Sequence, residues 1–285
     1  MAKLGFIGVG LMGHGMAANL LKGGHDVAIV AHRNRAPVED LVRRGAEEVK
    51  AVADLPQDRE AIFVCVTNSD QVRSVVTALE PGLGGGQLII DTGTSDPEVT
   101  VALGERLGRR GVHLIDAPMG GGAQQSEAGQ LASLVGGTAS DYARVEPWIR
   151  CYSALCVHMG PIGAGHRAKL LNNLLALGQA ALVIEAYRMA REEGLDWRKL
   201  YEINMGGAAR SGSLERIMVP ALEDDYRGYL FTLENSVKDL SYIVDFAAKR
   251  AHSHQLSRAI RKFYEDAVAR EGGSLMVSEM LKPKQ

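Results

Sequence analysis

The chain has 285 residues, 46% of them hydrophobic and 23% charged, with a formal net charge of −2. That length suits two lobes or one large α/β domain, and no repeat or low-complexity tract is apparent. Lysine and arginine are scattered, so no basic stripe points to nucleic acid or an anionic membrane, and small molecules and copies of the chain itself are the expected partners.

The N-terminus enters a strand at once, without the charged region, apolar run and cleavage site of a leader. No apolar stretch is read as long enough to span a membrane. Three cysteines, Cys65, Cys151 and Cys156, are odd in number and suit a reducing cytoplasm. Leu4–Ile7 is a short apolar strand. It runs into Gly8-Val9-Gly10-Leu11-Met12-Gly13 and then the helical pattern Met16, Ala17, Leu20, Leu21. Strand, glycine turn and helix in that order are the pattern of a dinucleotide site. The first glycine permits the tight turn, the second lets a pyrophosphate approach the backbone, and the third lets helix and strand pack closely. The phosphates would sit on the helix N-terminus.

The second strand, Asp26–Val30, is followed by Ala31-His32-Arg33-Asn34-Arg35, with no acid before Glu39. A carboxylate there would bind the ribose hydroxyls of NAD, whereas guanidiniums grip the extra phosphate of NADP. NADP is therefore expected, with NAD still possible. A helix over Val38–Arg44 precedes the continuous apolar strand Ala61–Val66, as in a parallel sheet covered on both faces. Its end, Val66, Thr67 and Asn68, is candidate cofactor lining. Leu88–Asp91 is a further strand ending in Thr92-Gly93-Thr94-Ser95, with Pro97 placed to start a helix. Ser69 and Ser95 read equally well as lining or as helix caps. Val112–Ala117 empties into Pro118-Met119-Gly120-Gly121-Gly122, whose backbone N–H groups could hold an anion. A flexible hairpin into Leu131–Val135 is the plainer reading of that stretch.

After a strand around Ala154–Val157 the β signal stops. A long helix runs from Gly163 towards Gly194, apolar around nearly its whole circumference and expected to be buried on all sides. At 1.5 Å per residue it extends on the order of 40 Å and can join two lobes. Lys169 and Asn173, at i and i+4, share one of its faces. They either serve a task or sit at a frayed, wetted start. Helical patterns follow from near Asp196, near Ser213, over Leu233–Arg250 and over Gln255–Glu271. Lys238-Asp239 interrupts an apolar face, which by composition alone reads as a solvated pair. His252 and His254 lack further ligands nearby, so no metal site is read.

These stretches together resemble the β-hydroxyacid dehydrogenases. Gly5-Phe6-Ile7-Gly8-Val9-Gly10-Leu11-Met12-Gly13 with Met16-Ala17-Ala18-Asn19-Leu20 is similar to that family's N-terminal signature. Asp116-Ala117-Pro118 with Gly121-Gly122 is similar to its substrate loop, Gly163-Ala164-Gly165 with Lys169 and Asn173 to its catalytic helix, and Lys238-Asp239-Leu240 to its C-terminal lysine motif. The resemblance implies a fold: an α/β N-terminal Rossmann dinucleotide-binding domain over 1–162, then an all-α C-terminal domain over 163–285 for substrate and dimerisation, joined by the long central helix. It also implies Lys169 as general acid, Asn173 and Gly120–Gly122 on the substrate, Lys238 near nicotinamide, and Asp91, Thr92 and Thr94 where the family closes over nicotinamide. Arg33 falls where members that use NADP carry an arginine, although His32 and Asn34 depart from the usual triplet. Gly120 and Gly93 stand where the family has serines.

The activity implied is interconversion of a small carboxylated aldehyde or ketone and its hydroxyacid. The chain is expected to form a homodimer or homotetramer. An imine reductase of the same architecture, or a cofactor-binding sensor without turnover, is the alternative. Retention of Lys169 favours carbonyl chemistry.

Overall fold

The structure, a computed structural model, describes residues 1–250 and 254–283. His252 lies outside the described residues. The chain divides into two compact units, Met1–Lys169 and Leu170–Gln285.

The first unit is built on a nine-stranded sheet. Its strands are β1 (Lys3–Ile7), β2 (Asp26–Val30), β3 (Glu47–Val49), β4 (Ala61–Val64), β5 (Leu88–Asp91), β6 (His113–Asp116), β7 (Met119–Gly120), β8 (Leu131–Gly136) and β9 (Ser153–Gly160). The spatial order is β3-β2-β1-β4-β5-β6-β8-β7, with β9 paired to β8. β1 to β6 are mutually parallel, whereas β8 runs antiparallel to β6 and β7. The helices of this unit are α1 (Gly13–Lys22), α2 (Ala36–Arg43), α3 (Ser69–Leu79), α4 (Pro97–Gly108), α5 (Ala123–Glu127) and α6 (Ala139–Ile149).

The central strands are apolar at every position because both faces are covered. Ala61, Phe63, Leu88 and Ile90 point into one core with Phe6 and Ile29, while Ile62, Val64 and Ile89 point into the other with Ala28 and Leu114. Phe6 stacks on Phe63 at 5.8 Å between centroids. Each such fully buried aromatic or aliphatic side chain is worth about 1.5–3 kcal/mol. Pro97 opens α4 as its position suggests, with Asp96 capping it through the Glu98 N–H at 2.9 Å.

α7 (Ala164–Glu192) begins in the first unit, and the division falls within it, between Lys169 and Leu170. The second unit holds the rest of α7 with α8 (Trp197–Gly206), α9 (Gly212–Ala221), α10 (Leu233–Ala248) and α11 (Gln255–Glu271). Asp196 caps α8, accepting from the N–H groups of Arg198 and Lys199. Leu170, Leu177, Ile184 and Tyr187 of α7 pack into one core with Leu214, Leu240, Ile243 and Tyr264. The Tyr264 hydroxyl donates to the Leu177 carbonyl at 2.9 Å.

Burial of α7 on every side does not hold. Leu171, Leu175, Leu182 and Met189 are 51, 67, 71 and 58% exposed, and at about 100° per residue they fall on one face. Composition reports how apolar a helix is, not how many faces have a neighbour. By length and composition α7 would also pass as a membrane span, contrary to the sequence reading, but buried core helices pass the same test.

Candidate active site

The register of the sheet sets the site. Ile7 pairs with Val64, Val64 with Asp91, and Asp91 with Asp116, so β1, β4, β5 and β6 end in one row. The chain segments that follow, 8–13, 65–68, 92–95 and 117–122, therefore leave the sheet along one edge. The strand order reverses between β1 and β4, which is where open α/β sheets bind ligands.

The glycine turn at that reversal fits a dinucleotide. Gly8 has φ +92°, and a Cβ there would lie 2.1 Å from the Cys65 carbonyl oxygen. A Cβ at Gly13 would lie 2.1 Å from the Gly8 oxygen and 2.9 Å from Phe6, so the start of α1 rests directly on β1. At Gly10 a Cβ would meet nothing, which leaves open space over the backbone. The His14 N–H goes to the Gly10 carbonyl at 3.0 Å, and no side chain among the described residues caps the first turn of α1, which leaves the N–H of Gly13 open to an anion. Val9, Leu11 and Met12 complete the turn. Burial pushes the Cys65 thiol beside this turn up to about 11.

The loop after β2 separates its two arginines. Arg35 forms a bidentate pair with Glu48 at 2.5 and 3.1 Å and approaches Glu39 at 3.8 Å, and its guanidinium holds the Glu48 carboxyl below the usual range. Its guanidinium is thus paired within the protein to β3, unlike that of Arg33. Arg33 is exposed between His32 and Asn34 and has no ion pair among the described residues. Asn34 accepts the Ala36 N–H at 3.2 Å.

At the end of β4 the Asn68 side chain is spent as the cap of α3, accepting from the Gln71 N–H at 2.9 Å, and the Thr67 N–H is held by Gln71. Ser69 and Ser95, read as caps or lining, are neither. Ser69 accepts the Asp96 N–H and Ser95 donates to Asp91, at 2.8 Å each. Thr92 is buried and donates to the Val64 carbonyl, whereas Thr94 is half-buried.

The glycines after β6 do not form a simple hairpin. Met119 and Gly120 pair with β8, and α5 then intervenes. Gly122 gives its N–H to Gln125 at 3.0 Å, so it does not offer a free donor. Gly121 has φ +119°. Gly120 has ordinary backbone geometry, and a Cβ there would touch only Ala132, at 3.9 Å.

α5 is fastened to the start of α1. A Cβ at Gly15 would lie 2.6 Å from the Glu127 nitrogen, Ser126 donates to the Met12 carbonyl at 2.6 Å, and Asn19 donates to the Ser126 carbonyl at 2.9 Å. His14 bridges Asp40 at 2.9 Å and Glu127 at 2.6 Å. The sequence reading missed His14, Gly15 and Ser126. A glycine inside a helical pattern was the available signal for close backbone approach.

Lys169 is half-buried in the second turn of α7. The start of that helix is neither frayed nor wetted. His166 is fully buried, and a Cβ at Gly165 would lie 2.3 Å from the Leu134 carbonyl. In the helical unit, Asn173 is 8% exposed and donates to Asp239 at 2.6 Å. Lys238 lies 3.0 Å from the other oxygen of Asp239 and over the ring of Tyr242 at 5.6 Å. Asp239 is 1% exposed, so Lys238-Asp239 is a buried-edge pair and not a solvated one. Sequence reasoning missed Asp239 as the residue that orients Asn173 and Lys238 together. Its signal was a carboxylate on an otherwise apolar helix face. Among the described residues no group of three or more His, Cys, Asp or Glu is placed to hold a metal.

A family model described as the NAD binding domain of 6-phosphogluconate dehydrogenase matches residues 3–160. One described as NAD-binding of NADP-dependent 3-hydroxyisobutyrate dehydrogenase matches residues 163–284. The 3-sulfolactaldehyde reductase of Escherichia coli is 30% identical over 272 residues, 94% of this chain and 91% of that one. The solved 3-hydroxyisobutyrate dehydrogenase of Mycobacterium tuberculosis with L-serine has a TM-score of 0.89 at 24% identity, covering 99% of this chain and 98% of its own. An imine reductase from Pseudomonas sp. is more distant, with a TM-score of 0.65 at 18% identity over 98% of both chains. A glycine cradle at the sheet's reversal, two family models in tandem and relatives aligned over nearly the full length agree: the chain belongs to the β-hydroxyacid dehydrogenases, NAD(P)-dependent oxidoreductases acting on CH–OH groups.

Proposed function

We propose that the protein reduces a small carboxylated aldehyde or ketone with NADPH, reversibly, giving the hydroxyacid. Residues 1–162 carry the cofactor and 163–285 serve substrate and dimerisation. The observation that carries this reading is Lys169, on an anchored helix start in the same compact unit as the glycine cradle. The nicotinamide, when bound, supplies or takes up hydride. Around it, the first turn of α1 holds the pyrophosphate, Arg33 grips the ribose phosphate, and the Gly121 N–H in the loop Gly120–Gly122 binds the substrate's carboxylate. As the carbonyl carbon gains hydride, its π pair moves to oxygen, and the Lys169 ammonium stabilises that oxygen and gives it a proton. Asp239 holds the Asn173 amide nitrogen, and the Asn173 carbonyl oxygen, which accepts from Asn172 at 3.4 Å, keeps a second lone pair for a substrate hydroxyl. Lys238 is steadied by the same carboxylate.

The exposed stripe Leu171, Leu175, Leu182 and Met189 supports a homodimer or homotetramer, and the three free thiols support a cytoplasmic setting. NADPH oxidation measured over short semialdehydes, 2-oxo acids and cyclic imines tests the reading. Turnover of carbonyl acids supports it, turnover of cyclic imines alone replaces it with imine reduction, and cofactor binding without turnover leaves a sensor.

A further inference from the structure

We propose that Asp116 is a positioning residue for the reaction: its buried carboxylate fixes the start of α7 and thereby aims Lys169. The inference rests on the reading of Lys169 as proton donor.

Asp116 ends β6 and is 0% exposed. One carboxylate oxygen accepts the Gly163 N–H at 2.7 Å and the other the His166 N–H at 2.7 Å. Helix N-termini present unpaired N–H groups, and these are ordinarily satisfied by a side chain next in sequence. Here the acceptor lies 47 and 50 residues upstream, so the helix start is bolted to a strand end and not to its own loop. A carboxylate in that place also complements the helix dipole.

The surroundings are shaped around this one group. A Cβ at Gly136 would lie 2.4 Å from one Asp116 oxygen, and a Cβ at Gly165 would lie 2.9 Å from the other. Gly163, which supplies one donor, sits at φ +83°, a conformation that disfavours any side chain. Backbone freedom has been given up at three positions to seat a carboxylate that faces away from solvent.

His166 adds a third fixing point. Its Nδ1 is hydrogen-bonded to the Thr100 hydroxyl at 2.8 Å, and that hydroxyl also lies 3.2 Å from the Asp96 carbonyl. Nε2 makes no hydrogen bond among the described residues and lies 3.7 Å from an oxygen of Asp91, which is itself held by Gly93 and Ser95. The helix is thus fixed both along its axis and about it.

Lys169 follows His166 by three residues, on the same face and about 4.5 Å further along. With side-chain tips roughly 6 Å from a helix axis, a rotation of about 10° displaces Nζ by about 1 Å. A misplacement of that size costs up to about a hundredfold in rate.

The test is a double-mutant cycle. Asp116→Asn keeps the volume and one acceptor but sets an NH2 against the second N–H. We expect kcat to fall about tenfold to a hundredfold, with cofactor Kd within about twofold because the glycine turn is untouched. In a Lys169→Met background the same substitution should cost less than about twofold more, because there is no longer an ammonium to aim. Gly136→Ala, which crowds the carboxylate without removing its charge, should show the same dependence on Lys169. Equal losses in both backgrounds, or an unchanged kcat for Asp116→Asn, overturn the proposal. Recovery of both variants only as unfolded protein also overturns it, since the carboxylate would then serve the fold alone. A Lys169→Met enzyme of normal kcat removes the proton-donor reading and this proposal with it, whereas a slow one with additive losses removes only this proposal.

Discussion

Cofactor choice gives the sharpest contrast between neighbouring residues. Arg33 and Arg35 look equivalent in sequence, yet Arg35 is clamped by Glu48 and Glu39 while Arg33 stands exposed after β2. Arg33→Ala should therefore remove the contact to the ribose phosphate. A charge-assisted contact to a charged group is worth about 1.5–3 kcal/mol, or about ten- to 150-fold in the ratio of kcat/KM for NADPH over NADH. Most of that loss should fall on NADPH, with the NADH rate unchanged. Arg35→Ala breaks a pair that is already satisfied within the protein and should move the ratio by less than about twofold. Steady-state kinetics with both cofactors on wild type and the two variants decide the matter. Equal use of NADH by the wild type, or a larger change for Arg35→Ala than for Arg33→Ala, would refute the reasoning.

Gly120→Ser should fold with a Tm close to wild type, since its Cβ meets only Ala132, and should alter substrate selectivity chiefly through KM. Kinetics on two substrates check this, and a uniform loss on both would contradict it. Acid should weaken the sheet-bearing unit. Asp40 is held below the usual carboxylate range by Arg43 and then His14, and Glu48 and Glu146 are held down by Arg35 and Arg150. Folded values lower than unfolded ones mean that this stability is present above about pH 4 and is lost as pH falls through the folded values. Tm should fall on acidification below that point, and less steeply in Asp40→Asn; a flat profile would count against these pairs.

Patterns set by neighbours in sequence were legible. The apolar strands, the glycine turn, the cap at Asp196 and the start at Pro97 all follow from local sterics and periodicity. What escaped was set by partners distant in the chain. Arg35 reads as a phosphate ligand until Glu48 is placed beside it, and Ser69 reads as a cap until the Asp96 nitrogen arrives 27 residues later. The short helix α5 has too few residues for a periodic signal. In the same way Asp116 was legible as part of a loop motif, but its task depends on a helix start 47 residues on. Exposure of Leu175 and Leu182 could not be read either, because an apolar residue does not announce which side of its helix lacks a neighbour.

Replacing Lys169 with methionine tests the central claim most directly. The substitution keeps length and helix propensity and removes the charge and the proton. General acid catalysis typically contributes about 10² to 10⁴-fold, so kcat per folded molecule should fall by about that factor while NADPH affinity, measured by titration on the same sample, stays unchanged. Near-normal turnover by the folded Lys169→Met protein would contradict the account.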